Sequence, residues 1–203
     1  MRILCLDIGS RRIGVAISDP LKIAAQPFCV LDLQKEDLYS CLDKIFNEHQ
    51  IEKIVIGYPV SKFHPDKATE KLQKIDEICS ELERRYKVGI IKWDERFSTK
   101  AVERILREEN VSWQKRKKVV DKLAAVYILQ GYLDFINSSR RLGLAPINST
   151  PEKVEEILKT LIPVEEWIYV NHAMVDHGKS ICRPIKPKCE LCPLNELCPK
   201  IGV

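Results

Sequence analysis

Arg2-Ile3-Leu4-Cys5-Leu6-Asp7-Ile8-Gly9-Ser10-Arg11-Arg12-Ile13-Gly14-Val15-Ala16-Ile17-Ser18 holds two short apolar runs, 2–8 and 13–18, around the polar link Gly9-Ser10-Arg11-Arg12. Runs of that length and composition with a Gly-containing link read as a β-hairpin. In the first run Ile3 and Cys5 alternate with Leu4 and Leu6, so both faces of the strand are apolar and both are expected to be covered. The run ends on an acid, Asp7.

Working outward, a third extended stretch covers about Lys22 to Leu33, and Pro27 inside it demands an edge strand or a bulge. Leu38, Cys41, Leu42, Ile45 and Phe46 follow helical spacing, and Ile54-Val55-Ile56 forms a short buried strand ending at Gly57. Leu72, Ile75, Cys79 and Leu82 mark a second helix, and Val88 to Trp93 a fifth strand. Thr99 can cap a helix carrying Val102, Ile105 and Leu106, and a long helix is expected from about Gln114 to Ile136. Three strands followed by alternating helix and strand describe an α/β fold: a mixed five-stranded sheet flanked by helices. Composition changes near Ser138-Ser139-Arg140, which divides the chain into expected domains 1–138 and 139–203. Beyond that point the pattern is helical. Thr150-Pro151-Glu152 opens a helix striped by Val154, Ile157, Leu158 and Leu161, and Pro163 starts another that Gly178 is expected to end.

The 203 residues are 45% hydrophobic and 31% charged, which supports a packed core and excludes disorder. No apolar run is long enough to span a bilayer and no signal-peptide pattern precedes Arg2, so a cytoplasmic protein without a membrane partner is expected. The net charge of +4 permits a polyanionic partner without demanding one. Lys115 to Lys118 form one basic run, and Lys179, Arg183, Lys186 and Lys188 another with no acid among them. Cys5, Cys29, Cys41 and Cys79 lie among apolar residues and read as buried thiols.

Carboxylates stand at element ends: Asp7 after the first strand, Asp94 and Glu95 after the fifth, and Asp121 in the long helix beside the small Ala124 and Ala125. Acids that converge cannot all stay ionised unless cations sit between them, so such a cluster would build a site for Mg²⁺ or Mn²⁺. Asp94 reads either as a further member or as a turn cap, and Arg96 as a phosphate contact or an ion-pair partner.

Asp7-Ile8-Gly9 with Ile13-Gly14-Val15-Ala16, then Ile56-Gly57-Tyr58-Pro59, Asp94-Glu95-Arg96-Phe97-Ser98-Thr99 and Val120-Asp121-Lys122-Leu123-Ala124-Ala125, occur in the order of the blocks of the Holliday-junction-resolvase-like family. Residues 1–137 resemble that family, the YqgF or RuvX group, which includes pre-16S rRNA nucleases. The resemblance implies an RNase H-like fold and a metal-dependent nuclease with Asp7, Glu95 and Asp121 as catalytic carboxylates.

Four further cysteines, Cys182, Cys189, Cys192 and Cys198, lie within 17 residues. A tetrathiolate site holds either Zn²⁺ or an iron–sulfur cluster, and with one close pair, Cys189 and Cys192, the spacing leans toward the cluster. Together with Arg141-Leu142-Gly143-Leu144, Leu161-Ile162-Pro163, His172 and His177-Gly178-Lys179, the array resembles the C-terminal end of endonuclease III-type DNA glycosylases. That resemblance implies a [4Fe–4S] cluster on the four cysteines and phosphate contacts from Arg183, Lys186 and Lys188. His172 and His177 read as structural histidines. The glycosylase aspartate would fall nine residues before Arg141, where Tyr132 stands, with Asp134 two residues out of register. No upstream segment supplies the helix-hairpin-helix and catalytic lysine, so glycosylase activity is not expected.

The resulting expectation is a nuclease on structured nucleic acid that processes the 5′ end of pre-16S rRNA, with ribosomal precursor particles as partners. A DNA-junction or repair nuclease, and a non-catalytic nucleic-acid-binding protein, are the alternatives.

Overall fold

A computed structural model of the chain describes residues 1–59, 70–94 and 113–202. Two compact units are present, Met1–Leu129 and Gln130–Val203.

The first unit is built on a five-stranded sheet in the order β3-β2-β1-β4-β5. β1 (Arg2–Ile8), β2 (Arg12–Ser18) and β3 (Ala25–Asp32) form an antiparallel meander, while β4 (Ile51–Tyr58) and β5 (Gly89–Asp94) add in parallel to β1. Ile3, Leu4, Cys5 and Leu6 are fully buried, as apolar residues on both faces of a central strand require. Pro27 satisfies both constraints placed on it. β3 is an edge strand, and the register jumps from Val15↔Cys29 to Ala16↔Pro27, leaving Phe28 as the extra residue of a bulge.

Helix α1 (Leu38–Glu48) begins where the Asp37 carboxylate accepts the Ser40 N–H at 2.8 Å, and it buries Leu38, Leu42 and Ile45. Helix α2 (Glu70–Tyr86) buries Ile75, Cys79 and Leu82, the stripe its sequence spacing predicts. Cys5 and Cys79 are buried, but Cys29 and Cys41 are only half-buried, because one lies on the edge strand and the other on the flank of α1. The expected helix after Thr99 lies outside the described residues.

Helix α3 (Trp113–Arg141) runs past the expected end at Ile136, because Ser138 and Ser139 are fully buried and their surroundings outweigh weak helix propensity. It stops at Gly143. With φ +74 there, the Gly143 N–H donates to Arg140 O at 3.1 Å and the Leu144 N–H to Ser139 O at 3.0 Å, a Schellman end.

In the second unit α4 (Pro151–Leu161) opens on Thr150, whose hydroxyl accepts the Lys153 N–H, and it buries Val154 and Leu158. Leu161 leaves the expected stripe and is exposed, being the last residue of the helix. Pro163 precedes a short 3₁₀ turn, Val164–Glu166, and helix α5 covers Trp167–Ser180. Gly178 does not end α5. It is buried inside the helix, where a Cβ would come within 2.8 Å of both Asp134 Cβ and Ser138 Oγ on α3. The glycine therefore serves a close helix–helix approach.

Candidate active site and cysteine pocket

β1, β4 and β5 run parallel, so their carboxyl ends share one edge of the sheet, the usual place for functional groups in such sheets. Asp7 is half-buried there, opposite Gly14 on β2. The chain then turns back at once: the Gly9 N–H donates to Arg12 O at 2.9 Å, and a Cβ at Gly9 would lie 2.7 Å from that oxygen. Leu6 shares a row with Ile56 and Lys92, so Asp7 and Trp93 each lie one residue further toward the edge, and Asp94 pairs with Tyr58 beyond them.

Sequence reasoning missed a polar group at this edge. Lys92 Nζ donates to Asp76 Oδ1 at 2.7 Å and sits 5.2 Å over the Tyr58 ring, whose hydroxyl donates to the other Asp76 oxygen at 3.3 Å. Partial burial pushes the Tyr58 phenol up, and the Asp76 carboxylate, through its hydrogen bond, raises the Lys92 ammonium. The trio ties the ends of β4 and β5 to α2. Tyr58 lies in a family block, which was the only signal for it in the sequence.

Glu95 and Arg96 lie outside the described residues. Asp94 closes β5 and Asp121 lies in α3, where Ala124 and Ala125 are buried. Among the described residues no group of three His, Cys, Asp or Glu side chains is placed to hold a single metal ion. No described helix is long and apolar enough to cross a membrane.

In the second unit Cys182, Cys189, Cys192 and Cys198 all line one pocket, together with Arg141, His177 and Asn195. Backbone turns place them. The Cys182 N–H donates to His177 O at 2.8 Å at the end of α5, and the Lys188 N–H closes the next loop on Ile181 O at 2.9 Å. A 3₁₀ turn, Cys189–Leu191, carries the second cysteine, and the Cys198 N–H bonds Leu194 O at 2.8 Å. The Lys200 N–H reaches Cys198 Sγ at 3.4 Å, and that thiol lies 3.6 Å from Arg141 O. Burial pushes the Cys182 thiol up and the His177 imidazolium down.

Arg183, Lys186 and Lys188 are carried on the loop between the first two cysteines, and all three are exposed. Arg141 holds that loop from below, its guanidinium donating to Arg183 O and, at 2.6 Å, to Pro184 O. The sequence marked Arg141 and His177 only as parts of a resemblance, because their partners are distant in the chain. His172 is half-buried. Tyr132, where the glycosylase aspartate would stand, is buried.

A mixed five-stranded sheet with an acid at the carboxyl end of its central strand defines an RNase H-like nuclease core. The family model described as RuvX: Holliday junction resolvase matches residues 1–135, and the chain belongs to that family. A second model, the iron-sulfur binding domain of endonuclease III, matches residues 182–198. A protein of Caldicellulosiruptor bescii named "Putative pre-16S rRNA nuclease" is 65% identical over 139 residues, 68% of this chain and 100% of its own length. Its namesake from Clostridium novyi is 46% identical over 67% of this chain and 100% of its own length. A trapped endonuclease III–DNA covalent intermediate is similar over 64% of this chain and 57% of that one, at 26% identity with a TM-score of 0.33.

Proposed function

We propose that the chain is a metal-dependent nuclease acting on structured RNA, processing the 5′ end of pre-16S rRNA, with ribosomal precursor particles as its working partners. The observation that carries this reading is the family match over residues 1–135, joined to the place of Asp7 at the carboxyl edge of the sheet. Asp7, Glu95 and Asp121 are its carboxylates, holding Mg²⁺ or Mn²⁺. Bound there, divalent ions supply activation of water and charge neutralisation at the phosphate. The three acids fix where those ions stand, and Arg96 is suited to hold a phosphate oxygen.

In the second unit the four cysteines hold a [4Fe–4S] cluster. That all four line one pocket supports this, with the thiols closing onto the cluster when it binds, since no three of them stand close enough to hold one ion without it. Such a cluster orders the loop around it, and Arg183, Lys186 and Lys188 meet phosphates. The match to the iron-sulfur domain of endonuclease III also favours a second reading, a nuclease acting on DNA junctions or damaged DNA.

Purified holoprotein with Mg²⁺ or Mn²⁺ should cut labelled precursor rRNA ahead of a four-way DNA junction and plain duplex. Preference for the junction would establish the second reading, and binding without cleavage of any of them would leave a non-catalytic binder. About four irons per chain are expected, against one zinc for the alternative centre.

A further inference from the structure

His177 touches the cysteine pocket from both backbone and side chain. The His177 carbonyl accepts N–H bonds from Ile181 at 2.9 Å and Cys182 at 2.8 Å, which sets the direction of the first cysteine. Its imidazole Nε2 stands 3.8 Å from Cys192 Sγ, within reach of a hydrogen bond to sulfur. His177 thus joins the first cysteine of the array to the third, across the pocket that all four line.

We propose that His177 is the positioning residue of this thiolate centre, its Nε2–H donating to the Cys192 sulfur when that cysteine is a metal ligand. The proposal rests on the reading that the pocket holds a metal centre. A thiolate bound to metal carries lone-pair density that an N–H can stabilise, and Cys198 already receives such a donor from the Lys200 backbone at 3.4 Å. For Cys192 the imidazole fills that role. Outer-shell donors of this kind orient ligands and stabilise the bound metal, and in clusters they favour the reduced state by drawing charge from sulfur. The backbone bond to Cys182 survives any substitution at position 177, so side-chain variants isolate the imidazole's part.

The test compares full-length wild type, His177→Phe and His177→Gln. Each is checked for wild-type helicity, metal content, metal release to a chelator and, where iron is bound, midpoint potential. His177→Phe, which fills the site without a donor, should release metal about tenfold faster or more, with its potential shifted negative. His177→Gln, with an amide N–H, should recover part of both losses. A wild-type chain without metal overturns this proposal together with the cluster reading. A metal-bound wild type matched by His177→Phe in release and potential overturns this proposal alone. If His177→Phe does not fold, wild type labelled with ¹⁵N-histidine decides. Electron–nuclear double resonance on its paramagnetic centre, iron or cobalt put in place of zinc, should show a coupled imidazole nitrogen, and absence of that coupling overturns the assignment.

Discussion

Gly178 on α5 approaches Asp134 on α3 so closely that a Cβ at position 178 would lie 2.8 Å from the aspartate Cβ and 3.1 Å from its carbonyl oxygen. Neither atom is the far end of a flexible side chain, so an added methyl must move backbone. Overpacking of this kind costs about 1–3 kcal/mol, and the helix propensity gained from alanine returns only about 1 kcal/mol. Gly178→Ala should therefore destabilise the second unit, read as a lower midpoint in urea by circular dichroism. An unchanged midpoint would show that the helices can part there at no cost.

Asp134 supplies a pH dependence. Its carboxyl is buried and accepts from Gln130 Nε2 at 2.8 Å, and burial, the larger effect, raises it above the ordinary carboxylate value of 3.8. The native state therefore holds this proton more tightly than the unfolded state, and stability falls as pH rises from the unfolded value through the raised folded one. Asp134→Asn keeps the acceptor and removes the titration. Its unfolding free energy should decline less than that of wild type from about pH 4 upward. Equal slopes would remove Asp134 as the cause.

Asp7→Asn preserves the shape of the strand end and removes a ligand charge, so metal-dependent cleavage of precursor rRNA should drop to the rate without added metal. Glu95→Gln and Asp121→Asn should do the same, and the double variants should be no worse than the singles, because the acids act as a unit. A wild-type rate in any one of them removes that residue from the site.

Changing Arg183, Lys186 and Lys188 together to Ala should weaken nucleic-acid binding at low salt. The log–log salt dependence should flatten by roughly one unit for each phosphate that the variant no longer neutralises. An unchanged slope would mean that the loop does not touch phosphate.

Schiff-base chemistry needs an activated amine, and with no catalytic lysine expected, borohydride should trap no covalent adduct on abasic duplex DNA. A trapped Schiff base would establish the chemistry that the sequence reading excludes.

Much of the first unit was legible because local chemistry decided it. Alternating apolar residues on both faces made β1 a central strand, and Pro27 could only stand at an edge or a bulge. Where tertiary packing overrode local preference, the reading went astray. Gly178 looked like a stop signal because a glycine that ends a helix and one that admits a neighbouring helix are the same letter. The real stop for α3 was Gly143, which lies in the Arg141-Leu142-Gly143-Leu144 stretch and was visible there as a resemblance, not as a backbone requirement. His177 escaped for a similar reason: its sulfur partner lies on another turn, and spacing cannot reveal a contact that only folding creates.

The end of α3 also meets the far end of the cysteine array. Cys198 Sγ lies 3.6 Å from Arg141 O, and a Cβ at Gly143 would press within 2.9 Å of Pro199 Cγ. A stretch of chain whose entry and exit touch is self-closing, so the cysteine array is a noose drawn tight at one helix end, and loosening that knot would slacken every turn between the first cysteine and the last.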